Sequence, residues 1–216
     1  MAVVSRGKFI AFEGGEGMGK STQARLLKSS LAERGIEAVL TREPGGTPGA
    51  EAIREMLLHP PGEGWGAEAE ALLFAAARAD HVLRLIRPSL DAGKWVVCDR
   101  FVDSSRAYQG HAGDLGDKRV RALHEIGSRG LLPDLTIVIG TESDEVGKRL
   151  RARDGDASDA IGGRDERYHA KVNAAFETFA KAEPARFARI DGIGSVQDVQ
   201  ERVMSAVFPL IEETDP

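Results

Sequence analysis

The chain has 216 residues, of which 42% are apolar, together with a formal net charge of −5 and one cysteine, Cys98. This length and composition favour one domain with a packed core, and a single cysteine excludes a disulfide within the chain. The acidic balance argues against a polynucleotide partner, because proteins that bind long nucleic acids usually carry a basic excess.

Five short apolar runs, separated by segments of helical period, predict strands. They span Lys8–Glu13, Ala38–Arg42, Lys94–Asp99, Leu135–Gly140 and Phe187–Asp191. The first intervening segment places Ala24, Leu27 and Leu31 on one helix face and ends at Gly35, a residue that commonly stops a helix. Strands that alternate with helices form βαβ units, so the pattern predicts an α/β fold with a five-stranded parallel sheet flanked by helices.

A glycine-rich loop lies between the first predicted strand and the first predicted helix. Gly14, Gly19, Lys20 and Ser21 satisfy the pattern G-x-x-x-x-G-K-[ST]. Glycines let the backbone approach an anion, Lys20 supplies a positive charge to the outer phosphates, and Ser21 offers a hydroxyl to Mg²⁺. The loop therefore predicts binding of a nucleoside triphosphate with Mg²⁺ by a run of nine residues, namely Gly14, Gly15, Glu16, Gly17, Met18, Gly19, Lys20, Ser21 and Thr22.

Charged residues close the second and third predicted strands. Arg42 and Glu43 follow one apolar run, and Asp99 and Arg100 follow the other. Ligands bind at the carboxyl ends of the strands in open α/β sheets, where Asp99 is suited to a Mg²⁺ shell and Arg100 to a phosphate. The alternative for Asp99 and Arg100 is a surface ion pair, which contributes little.

One later stretch, residues 151–167, is rich in charged, glycine and small residues and poor in core formers. It is either a solvated surface loop or a mobile lid whose basic residues contact a phosphate. The sequence by itself leaves these two interpretations open. We expect one domain over residues 1–216 that includes this segment.

The chain resembles the thymidylate kinases in the order and spacing of five motifs between about Phe9 and Ile139. These are FEGGEGMGKST, TREPGGTP, LLFAAARADHV, DRFVDSSRAYQG and PDLTIVI. The resemblance implies a P-loop nucleoside monophosphate kinase fold with a mobile lid over about residues 151–167. It also implies transfer of the γ-phosphoryl group of ATP to dTMP with Mg²⁺, giving dTDP and ADP, and a homodimer.

The resemblance also implies roles for individual side chains. Phe74 matches the residue that stacks on thymine, and Arg78, on the same helix face, matches the donor to a thymine carbonyl. Arg100 matches the residue that holds the acceptor phosphate, and Tyr108 the ring that excludes a ribose 2′-hydroxyl. The other matched positions are Arg42 near the acceptor phosphate, Glu16 at the sugar 3′-hydroxyl, Ser105 near the base, Gln109 near the base and sugar, Asp99 near Mg²⁺ and the reacting phosphates, and Glu43 in the water shell of the metal.

The sequence departs from the family where a cation for the transferring phosphate is expected. Gly17 in the phosphate loop is typical of members that supply this cation from a lid arginine, yet Ala160 occupies the usual arginine position. We therefore hypothesise that Arg153 contacts the transferring phosphate, with Arg164 as the second candidate.

Two other functions stay open at this point. Another nucleoside monophosphate or deoxynucleoside kinase is one, although the pair Arg42 and Arg100 suits an acceptor that already bears a phosphate. A non-catalytic P-loop regulator is the other, although it would not need Phe74 and Arg78.

The early charges of MAVVSRGK and the lack of an apolar run of about 20 residues predict no signal peptide and no membrane partner, so we expect a soluble cytoplasmic protein.

Overall fold

The computed structural model describes residues 6–140 and 163–213. Within these ranges, one parallel sheet has the strand order β2-β3-β1-β4-β5. Its strands are β1 (Phe9–Glu13), β2 (Ala38–Arg42), β3 (Trp95–Asp99), β4 (Leu135–Gly140) and β5 (Phe187–Asp191). The predicted α/β fold is confirmed, and only β1 and β3 differ from the predicted bounds, each beginning one residue later.

Helices cover both faces of the sheet. They are α1 (Lys20–Glu33), α2 (Pro48–Leu58), α3 (Ala67–His81), α4 (Arg87–Asp91), α5 (Val102–Ser105), α6 (Asp117–Ser128), α7 (Glu166–Ala182) and α8 (Val196–Glu212). Two π-helical turns interrupt this pattern: Val82–Ile86 joins α3 to α4, and Arg106–Ala112 continues α5. Such turns are frequent at functional sites, and the second contains Tyr108 and Gln109. No helix in the described ranges is long and apolar enough to cross a membrane.

The core has two layers because alternate residues of a strand point to opposite faces of the sheet. Ile10 and Phe12 of β1 pack towards α1 and α8, whereas Phe9 and Ala11 pack towards α4 and the preceding π-helical turn. Cys98 is buried in this second layer, as its apolar neighbours predict. Burial of both faces leaves the carboxyl edge of the sheet as the place where polar side chains converge.

The predicted lid overlaps only partly with the described residues. Arg153 and Ala160 lie outside them. At the other end of the segment, α7 already begins at Glu166, because the side chain of Asp165 caps the helix by accepting a hydrogen bond from the Tyr168 N–H. The last two residues of the predicted lid are therefore the first turn of a helix.

Candidate active site

The loop between β1 and α1 has the backbone conformation that its glycines allow. Gly14, Gly17 and Gly19 have φ angles of 130°, 70° and 83°, a region that other residues rarely adopt. A Cβ atom on Gly14 would lie 2.4 Å from the carbonyl oxygen of Ile139 in β4. Glycine at position 14 is thus needed both for its dihedral angles and for the close approach of two strands.

Lys20 is folded into this loop. Its Nζ donates a hydrogen bond of 2.5 Å to the carbonyl oxygen of Gly15, and the side chain is buried. Burial, together with the nearby Arg100, lowers the pKa of Lys20 to about 7, while Asp99 and Glu16 oppose this change. An anion bound in the loop would favour the charged form of Lys20, so this position suits a phosphate.

Ser21 and Asp99 meet at the mouth of the loop. The Ser21 hydroxyl donates a hydrogen bond to a carboxylate oxygen of Asp99, the last residue of β3. A hydroxyl and a carboxylate side by side are the kind of hard oxygen ligands that Mg²⁺ prefers. The two residues predicted to hold the metal therefore fit it.

Arg100 is fixed by contacts on several sides. Its φ angle of 68° is in the left-handed region, and its Nη1 donates to the Gly14 carbonyl oxygen and the Ser104 hydroxyl, both at 3.2 Å. The Nη2 atom lies 3.5 Å from Glu16 Oε1, and the guanidinium lies 5.2 Å from the ring centroid of Tyr108. Arg100 therefore joins the phosphate loop to the segment that holds Tyr108.

Glu13, which the sequence analysis did not single out, shapes this turn. One carboxylate oxygen accepts from the N–H groups of Phe101 and Ser104 at 2.8 and 3.0 Å, and the other from the Ser104 hydroxyl at 2.6 Å. Burial, and then the nearby Asp103, raise the pKa of Glu13 to about 7. Glu13 could have been identified from the sequence by its position at the end of an apolar strand, as Asp99 was.

Arg78 lies in a buried network that joins α3 to the end of β2. Its Nε donates to Glu43 at 2.7 Å and its Nη2 donates to Ser105 at 3.0 Å. The other oxygen of Glu43 lies 3.0 Å from Nδ1 of His81, whose Nε2 lies 2.7 Å from the Thr41 hydroxyl. Burial opposes ionisation of Glu43, but the charge of Arg78 and the hydrogen bond with His81 outweigh it and lower its pKa.

This network gives Glu43 a role that the sequence did not indicate. Its two carboxylate oxygens orient Arg78 and His81, so its place in the water shell of a metal stays a prediction. Arg42, next to it, is exposed and is paired with Glu51 at 3.2 Å. Both Arg42 and Glu43 nevertheless border the same cleft.

That cleft has a volume of about 340 Å³ and unites most of the predicted site. Every predicted acceptor-binding residue lines it, together with the phosphate-loop and metal candidates that face it: Glu16, Gly17, Lys20, Ser21, Arg42, Glu43, Phe74, Arg78, Asp99, Arg100, Ser105, Tyr108 and Gln109. Five further residues line the cleft without a sequence signal that indicated them: Pro44, Arg54, Leu58, Phe101 and Ser104. Arg54 donates to the Pro44 carbonyl oxygen at 2.8 Å, a pairing across ten positions that no local pattern reveals.

Comparison with known proteins places the chain in a family. The family model for thymidylate kinase matches residues 12–203. The chain is similar to the thymidylate kinase of Rhizorhabdus wittichii, with 53% identity over 95% of this chain and 99% of that protein. The thymidylate kinase of a Bradyrhizobium species is 45% identical over 94% of this chain and 90% of its own length.

The chain belongs to the thymidylate kinase family. A solved structure agrees: the crystal structure of thymidylate kinase from Ehrlichia chaffeensis superposes with a TM-score of 0.76 at 31% identity, covering 94% of this chain and 99% of that one. The resemblance read from the sequence motifs is thereby confirmed. The roles of single residues in this thymidylate kinase family member rest on the cleft described above and remain predictions.

Proposed function

We propose that this chain transfers the γ-phosphoryl group of ATP to dTMP, forming dTDP and ADP. Membership of the thymidylate kinase family supports the reaction. The observation that carries the proposal for the site is that Lys20, Asp99, Phe74, Arg78 and Tyr108 all line one cleft. This cleft therefore combines a phosphate-binding loop with side chains suited to a flat base.

The chemistry required of the side chains is mainly charge neutralisation and alignment. The acceptor oxygen belongs to a phosphate monoester with a second pKa of about 6, so it is largely ionised at neutral pH and needs no strong general base. Lys20 and Arg100 offset the repulsion between the two anions and hold them in line. The burial of Lys20 and the partial burial of Arg100 strengthen this effect because they reduce contact with competing water.

The wall of the cleft supports recognition of a thymine deoxyribonucleotide. Phe74 offers an apolar face, and Arg78 keeps a donor near it because Glu43 and Ser105 fix the guanidinium. Tyr108 is buried, and a ring there leaves little room for a 2′-hydroxyl. Gln109 completes this wall beside Tyr108.

Mg²⁺ is the proposed cofactor, and Ser21 and Asp99 would hold it. When bound, it would neutralise charge on the phosphates. A contribution of Glu43 through water stays part of the proposal, although Arg78 and His81 already engage its carboxylate.

A single kinase domain over residues 1–216 is also proposed, with its lid at about residues 151–167. Arg153, outside the described residues, is our first candidate for the contact with the transferring phosphate. Arg164 is instead engaged by Glu70 and Tyr168. We expect Arg153→Ala to reduce kcat by orders of magnitude and Arg164→Ala to affect it less; the reverse order would reject the assignment.

A coupled assay that follows ADP tests the proposed reaction. ATP and Mg²⁺ are offered with dTMP, dUMP, thymidine, AMP, GMP or UMP, and dTMP is expected to give the highest kcat/KM. No ADP with dTMP would reject the function. Preference for thymidine would indicate a nucleoside kinase, and no ADP with any acceptor would favour a regulatory nucleotide-binding protein. Equal rates with dTMP and UMP would reject the role of Tyr108.

A homodimer is the proposed assembly. Leu72 and Leu83 lie on one face of α3 and its continuation, because eleven residues make about three helical turns. Both are exposed, as is Ile126 on the neighbouring helix α6. Contact of this surface with a second copy would remove these apolar side chains from water.

A cytoplasmic location is proposed as well, supported by the single buried cysteine, which suits a reducing compartment.

A further inference from the structure

Glu70, in the first turn of α3, is a buried carboxylate shared by two other parts of the chain. Its Oε1 accepts a hydrogen bond of 2.7 Å from Nε2 of Gln109 in the second π-helical turn. Its Oε2 accepts from Nη2 of Arg164, just before α7. Both oxygens of Glu70 are therefore engaged, one by a residue that lines the cleft and one by a cation.

Arg164 and its neighbour Tyr168 hold this arrangement from the other side. Arg164 donates to the Tyr168 hydroxyl and lies 4.6 Å from the centroid of that ring. The Tyr168 hydroxyl in turn donates to the backbone carbonyl oxygen of Tyr108 at 2.7 Å. The start of α7 is thus tied both to Glu70 and to the backbone next to Gln109, which limits the freedom of each group.

The contact with Glu70 decides which way the amide of Gln109 points. A carboxylate only accepts hydrogen bonds, so the NH₂ group of Gln109 must face Glu70 and its carbonyl oxygen must face away. That carbonyl oxygen is buried and has no partner among the described residues. A buried acceptor without a donor is unfavourable, and a ligand that brings an N–H group would relieve it.

We propose that Glu70 is a positioning residue that fixes Gln109 as a hydrogen-bond acceptor and thereby selects the acceptor base; this rests on the proposed function. Thymine and uracil carry an N–H group at ring position 3, which can donate to the Gln109 carbonyl oxygen. Cytosine has an unprotonated nitrogen there, so two acceptors would face each other. Arg164 contributes by holding the Glu70 carboxylate in place.

Glu70→Gln tests the proposal, because the new amide can pair with Gln109 in either orientation. We expect the preference for dTMP over dCMP to fall about tenfold. The preference is measured as the ratio of the two kcat/KM values, or as the ratio of the two affinities when dCMP competes with dTMP for binding. The ratio between dTMP and dUMP should not change, since both bases carry the same N–H group. Glu68→Gln, the same substitution at an exposed position of α3, is the matched control and should leave all ratios unchanged.

Two results would overturn the proposal while leaving the proposed function intact. One is an equal loss with dTMP, dUMP and dCMP, which would indicate that Glu70 only stabilises the fold. The other is a Glu70→Gln variant whose kcat/KM matches that of the parent with all three acceptors. Failure of the parent chain to phosphorylate dTMP would instead reject the proposed function itself, so the two failures are distinguishable.

A second variant decides the matter if Glu70→Gln does not fold. Gln109→Met removes the amide and leaves the ion pair between Glu70 and Arg164 in place. We expect the same loss of preference over dCMP. Where Glu70→Gln does fold, the double variant should lose no more than either single one, because both changes remove one shared interaction. Unchanged selectivity in Gln109→Met would overturn the proposal, since Glu70 would then have no orientation to set.

Discussion

Three carboxylates near the carboxyl ends of neighbouring strands differ widely in chemistry. Glu13 is buried against backbone N–H groups, and its pKa is raised to about 7. Glu43 is also buried, but the charge of Arg78 and the hydrogen bond with His81 lower its pKa. Asp99 faces the cleft and contacts Ser21. The partner of each carboxylate, rather than its position on a strand, decides whether it shapes a turn, pairs with a buried arginine or lines the cleft.

As the pH rises, the free energy of unfolding of the parent chain is expected to fall relative to that of the Glu13→Gln variant. The pKa of Glu13 increases from 4.5 to about 7 on folding, so the folded chain binds more protons than the unfolded chain between these values. The parent therefore loses stability as the pH rises through this window, by on the order of 3 kcal/mol. Glutamine does not ionise and keeps an oxygen for the N–H groups of Phe101 and Ser104.

Urea unfolding at about pH 5 and about pH 8 measures this difference in the free energy of unfolding. Glu33→Gln, an exposed substitution at the end of α1, is the control and should follow the parent at both values. If Glu13→Gln also follows the parent, the pKa of Glu13 is not raised in the folded chain.

Glu16→Ala is expected to lower kcat/KM for dTMP about tenfold and to leave 3′-deoxy-dTMP nearly unaffected. The predicted contact is between the Glu16 carboxylate and the 3′-hydroxyl of the acceptor, which the analogue lacks. Glu16 also lies 3.5 Å from Arg100, and an effect transmitted through Arg100 would lower kcat/KM equally for dTMP and for the analogue. Steady-state kinetics with the two acceptors separates the cases, and equal losses would reject the 3′-hydroxyl contact.

At the scale of secondary-structure elements, buried polar contacts fix α3 relative to the sheet. Arg78 and His81 of α3 both contact Glu43, which directly follows β2. These contacts set the position of Phe74, one helical turn before Arg78, at the wall of the cleft. The second π-helical turn similarly places Tyr108 and Gln109 on that wall. Elements from distant parts of the chain thus build the proposed base site.

Glu43→Leu is expected to lower the free energy of unfolding by about 3 kcal/mol, because it leaves the guanidinium of Arg78 buried without its carboxylate. Arg78→Met should have a similar effect through the unpaired Glu43. The double variant should lose much less than the sum of the two, since no unpaired charge remains. Urea unfolding of the four proteins measures the coupling, and additive losses would mean that the pair does not stabilise the link between β2 and α3.

At the scale of the whole molecule, the strand order brings the phosphate loop and the charged ends of β2 and β3 to one edge of the sheet. β1 lies between β3 and β4, so Asp99 of β3 is next to the loop that follows β1. The exposed apolar residues of α3 and α6 do not line the cleft, and they form the surface proposed for contact with a second copy of the chain. The site and the proposed dimer surface therefore involve different faces of α3.

Ile126→Glu is expected to convert the proposed dimer into a monomer. Ile126 is 81% exposed in the single chain, so a charge there should disturb the interface and not the fold of the subunit. Phe208→Glu, at an exposed position of α8 on the other side of the sheet, is the control. Light scattering coupled to size-exclusion chromatography measures the mass, and a parent chain that is already monomeric would reject the dimer.

The sequence by itself determined the strands, the first helix and the phosphate loop, because these depend on residues close together in the chain. The periodicity of apolar residues and the spacing of the glycines around Lys20 are local signals. The resemblance of motifs then indicated the cleft residues between Phe74 and Gln109. The pairing of Glu43 with Arg78, 35 positions apart, and of Glu13 with Ser104, 91 positions apart, had no such signal.

Only the tertiary structure decided which partner each buried charge has. Glu70 looked like one acid among several in α3, and Arg164 like one cation in a charged segment. Their contact with each other and with Gln109 depends on how α3, α7 and the second π-helical turn pack together. Buried polar groups must find partners wherever the fold brings them, and strand order and helix packing, which involve residues far apart in sequence, set those distances.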